Sequence, residues 1–305
     1  MAASAIRKVY ASHCSKTFRK QSQSQILNLE NDVRLQVLLN TQQHSSNKPL
    51  VLILHGWLGC AGSLYILPLA NQLFKQGFNV ARLNYRDHGG TEHLNKELFH
   101  SCRLDEVIHA AEAIQEQISH NNFYIVGFSL GGNFALRMGA EEKKTNLKMD
   151  KIISVCPVMD ASNALDETQN MPKLYTEYYL RRWKNILKTK HQHFPDSYDL
   201  NTINKQSSLT SMTEHLLLQY TEFDSVEKYL KGYSITENRL ATLNTESHVY
   251  IAKDDPVIPY HDHTNLYSSE YLKLHLTQFG GHCGYLNGMF KMNWIDQQII
   301  QHLRA

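Results

Sequence analysis

The first half of the chain alternates between short apolar runs and stretches with the hydrophobic spacing of a helix. Residues 50–54 are all apolar, which is typical of a strand buried on both faces of a sheet. Residues 64–75 and 104–118 place apolar side chains along one face of a helix, and strands are predicted after them at residues 78–83 and 123–126. This order predicts a mostly parallel sheet with helices on both faces.

Further strands are predicted on either side of this pattern. Residues 25–30 and 33–38 alternate apolar and polar side chains around a short turn, which predicts an antiparallel hairpin at an edge of the sheet. Residues 152–155, 248–252 and 271–276 predict three more strands, and an amphipathic helix ends the chain. The fold class that follows is α/β.

Between residues 160 and 244 the alternation of strand and helix stops. Tyr175, Tyr178, Tyr179 and Trp183 recur there at helical spacing, and no clear strand is predicted. An insertion of this length at the carboxyl edge of a sheet is expected to act as a lid over a site. We expect most of its aromatic side chains to form its own core, and one or two to line an acyl pocket.

These patterns divide the chain into three parts. Residues 1–24 are predicted to be a basic N-terminal arm, residues 25–159 and 245–305 the α/β core, and residues 160–244 the helical insertion. Organellar transit peptides share the basic, acid-free composition of the arm. We favour an arm of the mature domain, and the transit peptide stays an open alternative.

Composition narrows the function classes. With 305 residues and a net charge of +2, the chain has no excess of positive charge that would predict binding to nucleic acid or anionic membranes. No apolar run approaches the roughly 18 residues of a membrane span. Five scattered cysteines without a C-x-x-C argue against disulfides and structural zinc, and for a reducing, cytoplasmic location. We expect no metal and no cofactor, and a solvated loop for the histidine pair His191 and His193.

The clearest chemical signal is Gly127-Phe128-Ser129-Leu130-Gly131, a G-x-S-x-G motif between a predicted strand and a helix-compatible run. In so sharp a turn the two glycines leave room where a side chain would clash. The serine hydroxyl is exposed beside the N-terminus of the next helix, whose N–H groups favour a developing negative charge. Ser129 is therefore the candidate nucleophile.

A second glycine loop, His55-Gly56-Trp57-Leu58-Gly59, follows the predicted strand at residues 50–54. The carboxyl end of a central strand is where α/β sheets place a ligand. We assign the two oxyanion-hole donors to the backbone N–H groups of Trp57 and Leu130. His55 is expected to shape this loop rather than to transfer protons.

Two later strands end in candidate partners for the serine. Asp254 and Asp255 follow residues 248–252, and His282 follows the last strand. Ser129, Asp255 and His282 thus occur in the chain order of α/β-hydrolases. His282 would take the serine proton, and Asp255 would orient the imidazole. We prefer Asp255 to Asp254 because its spacing to a following proline is the usual one.

His100 and Asp105 form an H-x-x-x-x-D pattern, which acyltransferases can use for catalysis. Asp105 also lies in the first turn of a predicted helix, where an acid complements the helix dipole. We expect this structural role for Asp105.

The chain resembles the YheT-type family of α/β-hydrolases, which are assigned as esterases and are related to eukaryotic abhydrolase-domain lipid hydrolases. The resemblance runs from about residue 10 to the end. It is carried by His55-Gly56-Trp57-Leu58-Gly59, Gly127-Phe128-Ser129-Leu130-Gly131-Gly132-Asn133, Ala252-Lys253-Asp254-Asp255-Pro256 and Gly280-Gly281-His282-Cys283-Gly284-Tyr285. It implies an α/β-hydrolase fold with a helical lid, and a catalytic triad of Ser129, Asp255 and His282.

The chain also departs from that family. Asp87 and His88 follow Arg86 where glycine is usual, and Trp57-Leu58 replaces the commoner Leu-Glu. Trp57 and the helical lid bear on the substrate rather than on the chemistry.

Together these features predict a serine hydrolase that cleaves carboxylic esters with short-to-medium acyl or lipid-like groups. Two alternatives stay open, namely acyl transfer to an alcohol other than water and a non-catalytic, ligand-binding member of the fold. The complete set of Ser129, Asp255 and His282 argues against the second alternative. The expected partner is a small-molecule ester, and the sequence does not constrain the oligomeric state.

Overall fold

The computed structural model describes residues 18–43, 47–287 and 293–305. Its strands are β1 (Gln23–Asn28), β2 (Arg34–Asn40), β3 (Leu50–Leu54), β4 (Asn79–Asn84), β5 (Phe123–Phe128), β6 (Lys151–Val155), β7 (Ser247–Ala252) and β8 (Leu272–Thr277). Its α-helices are α1 (Ile66–Lys75), α2 (Leu104–Gln117), α3 (Leu130–Glu141), α4 (Ala161–Asn170), α5 (Lys173–His193), α6 (Leu200–Lys205), α7 (Leu209–Tyr220), α8 (Val226–Tyr233) and α9 (Trp294–Arg304). Short 3₁₀ helices occur at Glu30–Asp32, Glu142–Lys144, Pro195–Ser197, Glu237–Leu240 and Tyr260–Asn265.

The strands form one sheet in the order β1-β2-β4-β3-β5-β6-β7-β8. β2 pairs antiparallel with both β1 and β4, whereas all the other neighbouring strands are parallel. The predicted edge hairpin and the mostly parallel α/β sheet are therefore confirmed. Parallel strands end at a common edge, so the loops after β3, β5, β7 and β8 are neighbours in space.

Helices cover both faces of the sheet. Leu50, Leu52 and Leu54 of β3 pack in the apolar cluster that contains α2 and α3, whereas Val51 and Ile53 pack in the cluster of α1 and α9. Every side chain of this strand is therefore buried, which explains its continuous apolar sequence. Full burial of each such side chain contributes about 1.5–3 kcal/mol.

The helical insertion contains α4 to α8, between β6 and β7. Asp160 caps the N-terminus of α4, because its carboxylate accepts hydrogen bonds from the N–H groups of Ser162 and Asn163. α7 starts at a capping box formed by Ser208 and Ser211. A small apolar cluster holds these helices together and includes Leu187, Tyr198, Ile203, Met212 and Leu216.

The sequence predicts that most aromatic side chains of the insertion form its own core. In α5, however, two of them are exposed to solvent. Tyr175 and Tyr178 are 41% and 51% exposed, respectively. Trp183 packs against the small cluster of the insertion. Helical spacing identifies which side chains share a face, but only the packing of neighbouring elements decides how much of that face is covered. The pair His191 and His193 lies in the last turn of α5 rather than in a loop.

Most of the predicted N-terminal arm lies outside the described residues, which begin at Phe18. Residues 18–21 form one helical turn. Phe18 is buried, with its ring 5.8 Å from that of Phe74 and the Arg82 guanidinium 5.1 Å above it. The C-terminal part of the arm is therefore packed against the α/β core.

Within the described ranges, no helix combines the length and the hydropathy that crossing a bilayer requires. The four cysteines of these ranges are free thiols. The cytoplasmic location stays a prediction.

A buried ion pair joins the insertion to the core. Nζ of Lys190, on α5, lies 2.5 Å from Oδ1 of Asp87, in the loop after β4. Nζ also donates hydrogen bonds to the carbonyl oxygens of Asn95 and Glu97, and Oδ2 of Asp87 accepts one from the N–H of Phe99. Because both charges are paired and further hydrogen-bonded, their removal from water is compensated.

We expect Lys190→Met to lower the free energy of unfolding by about 3–5 kcal/mol, because it leaves Asp87 buried without its cation. Lys188→Met, on an exposed position of the same helix, is the matched control and should change it by less than about 0.5 kcal/mol. Urea denaturation followed by circular dichroism measures both variants. Equal stabilities of the two variants would contradict the assigned role of the ion pair.

Candidate active site

Three predicted site residues meet at the carboxyl edge of the sheet. Ser129 follows β5, Asp255 follows β7 and His282 follows β8. Nε2 of His282 lies 2.9 Å from Oγ of Ser129, and Nδ1 of His282 lies 2.9 Å from Oδ2 of Asp255. The sheet therefore joins the three side chains in one continuous chain of hydrogen bonds.

The backbone at Ser129 is strained, with φ 54° and ψ −120°. Its N–H donates to the carbonyl oxygen of Val155, at the end of β6, at 2.8 Å. Gly127 and Gly131 flank the turn, and a Cβ atom on either would lie within 2.3 Å of a backbone oxygen of Gly131 or Leu54, respectively. The G-x-S-x-G spacing is thus required sterically, as predicted.

Asp255 is positioned before any substrate arrives. Its Oδ1 accepts hydrogen bonds from the N–H groups of Val257 and Ile258, at 2.8 and 3.1 Å. Burial alone would raise the pKa of this carboxyl, but the neighbouring His282 and the two N–H groups hold the pKa below its usual value. The carboxylate is therefore ionised near neutral pH, and it orients the ring so that Nδ1 of His282 carries the proton.

Asp254, the rival acid, has a different position. Its Oδ1 accepts hydrogen bonds from the N–H groups of Gly280 and Gly281, both at 2.8 Å. Asp254 therefore holds the loop that carries His282, whereas Asp255 contacts the imidazole itself. The geometry separates the two acids, and the assignment of Asp255 as the orienting acid stays a prediction.

The loop at residues 55–59 approaches the serine closely. A Cβ atom on Gly56 would lie 3.1 Å from Cβ of Ser129. Among the described residues, the backbone N–H groups of Trp57 and Leu130 have no hydrogen-bond acceptor. Both residues line the same cavity as the serine. This arrangement leaves two fixed donors available beside Ser129, and the oxyanion-hole assignment stays a prediction.

Two buried histidines support this loop. Nδ1 of His55 donates to the carbonyl oxygen of Gly56 at 2.8 Å, in line with its predicted role in shaping the loop. Nε2 of His88 accepts from the N–H of Leu58 at 3.2 Å, while its Nδ1 donates to the carbonyl oxygen of Arg86. Burial lowers the pKa of both rings, that of His88 to about 4. Both histidines are therefore neutral near pH 7.

Helix α5 packs directly on the same loop. The ring of Trp57 lies 6.0 Å from that of Tyr179 and 5.0 Å from that of Trp183. Arg182, between them, donates from Nη2 to the carbonyl oxygen of Leu58 at 2.6 Å. The insertion therefore contacts the segment that presents the Trp57 N–H.

A cavity of about 150 Å³ lies between the core and the insertion and is lined by Ser129. Most of its other walls are aliphatic, from Leu58, Leu98, Val158, Leu165, Ile186, Leu187, Leu209, Leu216, Leu217, Leu230, Val257 and Ile258. Trp183 also lines it. Such a lining favours a hydrocarbon group over an ionic one.

His100 lies in this cavity rather than in a pair with Asp105. It is 5% exposed, and Nε2 lies 3.3 Å from Oε1 of Glu222 without the geometry of a hydrogen bond. Burial lowers the pKa of His100 to about 4, so the ring is neutral near pH 7. Asp105 is exposed in the first turn of α2, where an acid complements the helix dipole as expected.

Sequence reasoning missed the contacts of Asp87, His88, Arg182 and Lys190. The Asp87-His88 dipeptide departs from the family pattern, which marks these positions in the sequence. Its partners could not be found, because Lys190 lies about one hundred residues further along the chain.

A model of the alpha/beta hydrolase fold matches residues 49–288. The chain belongs to this family. The α/β-hydrolase fold that the sequence predicts is thereby confirmed.

Curated relatives of this α/β-hydrolase carry the names of ester-cleaving enzymes. The chain is 23% identical to "Putative esterase YheT" of Escherichia coli (strain K12), over 84% of this chain and 76% of that protein. It is 23% identical to a monoacylglycerol lipase of Saccharomyces cerevisiae and 25% identical to Phospholipase ABHD3 of Bos taurus, over 84% and 86% of this chain. It spans only 59% and 64% of the latter two proteins. The predicted YheT-type resemblance is confirmed.

Solved structures support the fold. The esterase Pf2001 of Pyrococcus furiosus has a TM-score of 0.61 at 12% identity and covers 93% of this chain and 92% of its own. Est1E of Butyrivibrio proteoclasticus, with bound ferulic acid, has a TM-score of 0.60 at 14% identity and covers 92% and 98%. At these identities the likeness establishes the fold alone.

We expect acid to destabilise the protein partly through His88. Its pKa rises from about 4 in the folded state to roughly 6.5 on unfolding, so the unfolded chain binds an extra proton between these values. As the pH falls from 6.5 to 4, this proton uptake lowers the free energy of unfolding by up to about 1.4 kcal/mol per pH unit. His88→Gln should remove this part of the acid destabilisation. Urea denaturation across this range, with the exposed His261→Gln as control, measures the slope. An unchanged slope in His88→Gln would contradict a neutral, buried His88.

Proposed function

We propose that this α/β-hydrolase cleaves carboxylic esters through an acyl-enzyme formed on Ser129. The observation that supports this most is the unbroken chain of hydrogen bonds from Asp255 through His282 to Ser129. The prediction of a carboxylic ester hydrolase is confirmed at the level of enzyme class by relatives named esterase, monoacylglycerol lipase and phospholipase. The roles of the individual residues are our proposal.

In the first step, Oγ of Ser129 attacks the ester carbonyl carbon while its proton moves to Nε2 of His282. Asp255 stabilises the imidazolium that forms. The tetrahedral intermediate collapses as the bond to the alcohol oxygen breaks, and His282 gives its proton to that oxygen. The alcohol leaves, and the acyl group stays on Ser129.

In the second step, water occupies the position that the alcohol has left. His282 removes a proton from the water, whose oxygen attacks the acyl carbonyl carbon. The second intermediate collapses as Oγ of Ser129 leaves and takes the proton back from Nε2. The products are a carboxylic acid and the free enzyme.

The backbone N–H groups of Trp57 and Leu130 would bind the oxyanion of both intermediates. Leu130 is the first residue of α3, so the helix dipole adds to the attraction. Each fixed donor of this kind contributes about 3–4 kcal/mol to transition-state stabilisation.

The cavity supports an uncharged, hydrocarbon-rich acyl group as substrate. Its aliphatic lining comes from both the core and the insertion, which would make residues 160–244 the lid over the site. A short-to-medium acyl or lipid-like ester fits this lining. The small-molecule ester itself remains the proposed partner.

We expect Ser129→Ala to lower the hydrolysis of p-nitrophenyl esters by on the order of 10⁴- to 10⁶-fold, because no acyl-enzyme can form. A fluorophosphonate probe should label the wild type and the control Ser162→Ala, whose serine is exposed on α4. It should not label Ser129→Ala. Labelling that survives in Ser129→Ala would rule out this nucleophile.

We expect Asp255→Asn to lower kcat by about 10⁴-fold, because the amide no longer selects the required tautomer of His282. Asp254→Asn is the matched control, since Asp254 hydrogen-bonds the loop and not the ring. It should reduce kcat by far less. Steady-state kinetics on one p-nitrophenyl ester compares the two, and a larger loss in Asp254→Asn would reverse the assignment.

A further inference from the structure

Three histidines converge on the face of the sheet that α9 covers. His248 and Tyr250 lie two residues apart on β7, so their side chains are on the same face of the sheet. Tyr250 is in register with His275 of β8. His302 lies on α9, in the last turn. Strand β7, the neighbouring edge strand β8 and the last helix therefore each contribute one histidine to the same place.

The ring nitrogens of this cluster are close enough to share one ion. His248, His275 and His302 each offer a nitrogen, and the three atoms lie within 4.8 Å of one another. Nδ1 of His248 and Nε2 of His275 are 2.9 Å apart. Nitrogens bound at about 2.1 Å to a tetrahedral zinc ion are roughly 3.4 Å apart. Small side-chain rotations would therefore bring the three nitrogens to coordination distance.

Two further groups orient the rings from outside. Nε2 of His248 donates to Oε1 of Glu246 at 3.0 Å, so Nδ1 carries the lone pair and faces His275. The hydroxyl of Tyr250 lies 2.7 Å from Nε2 of His302. A carboxylate that accepts the second N–H of a histidine is the usual outer partner of a metal ligand.

The charges around the cluster are balanced in part. Lys273 and Lys151 both lie near Glu246, at 2.7 and 3.6 Å from its carboxylate oxygens. His275 and His302 are partly exposed, which gives an ion a path from solvent.

We propose that His248, His275 and His302 form a binding site for a late first-row divalent cation such as Zn²⁺. Imidazole nitrogens are preferred ligands of these ions, and three of them leave one coordination position for water. The ion takes the place of the proton between Nδ1 of His248 and Nε2 of His275. That proton moves to Nδ1 of His275, so the rings stay neutral.

A bound ion would stabilise the fold rather than take part in ester hydrolysis. It would tie the edge strand β8 to β7 and α9, and β8 leads directly into the loop that carries His282. Binding to the folded state alone raises its stability by mass action. The proposal is independent of the ester-hydrolase function, because none of its residues belongs to the chain from Asp255 to Ser129.

The test uses untagged, metal-free full-length protein titrated with Zn²⁺ by isothermal calorimetry. We expect one equivalent to bind to the wild type, and His275→Ala and His302→Ala each to weaken it by at least about 100-fold. Glu246→Gln should weaken it by about 10- to 100-fold through His248. His261→Ala, at an exposed histidine outside the cluster, is the control and should bind like the wild type.

Two further measurements distinguish the loss of a metal ligand from the loss of folded structure. Co²⁺ bound to the wild type should give the intense visible absorption of a four-coordinate site, and Zn²⁺ should raise the Tm of the wild type but not of His275→Ala. An unchanged far-ultraviolet circular dichroism spectrum without metal shows that each variant is folded. The proposal is overturned if the wild type binds no Zn²⁺ below millimolar concentration, or if His275→Ala and His302→Ala bind it as tightly as His261→Ala.

Discussion

Ser129 is held in a left-handed backbone conformation at the point where β3, β5 and the start of α3 approach most closely. A Cβ atom on Gly127 would lie 2.1 Å from the carbonyl oxygen of Gly131, so no other residue fits without moving the backbone. Such strain costs about 1–3 kcal/mol and persists only where the surrounding structure enforces it. Here the buried strands on both sides enforce it. The positions of His282 and Asp255 depend on the same sheet, because their loops follow parallel strands that end at the same edge.

The loop that carries Trp57 depends on the core and on the insertion together. His88 accepts a hydrogen bond from the N–H of Leu58, and Arg182 of α5 donates one to the carbonyl oxygen of the same residue. The buried pair of Lys190 and Asp87 fixes the other end of α5 to the loop that also carries His88. A displacement of α5 would therefore move both the cover of the cavity and one proposed oxyanion donor. The departures of this chain from the family pattern are found among these contacts.

The agreement between sequence and structure follows from the range of each interaction. The strand and helix patterns and the turn at Ser129 depend on neighbours within a few residues, and they were predicted with boundaries that differ by one or two positions. Asp255 was preferred to Asp254 from spacing, and the hydrogen bond to His282 agrees with that preference. The exposure of Tyr178 was not foreseen, because an aromatic stripe on a helix does not show whether another element covers it.

By itself, the sequence determined the order of the strands and helices, the strained serine turn and the chain order of serine, acid and histidine. These are properties of local steric fit and of hydrophobic periodicity. Only the tertiary structure decided which groups separated by long stretches of chain meet. The pair of Lys190 and Asp87 and the cluster around His248 are examples. No local pattern encodes such contacts, because they arise when the sheet and its helices bring distant segments within a few ångströms.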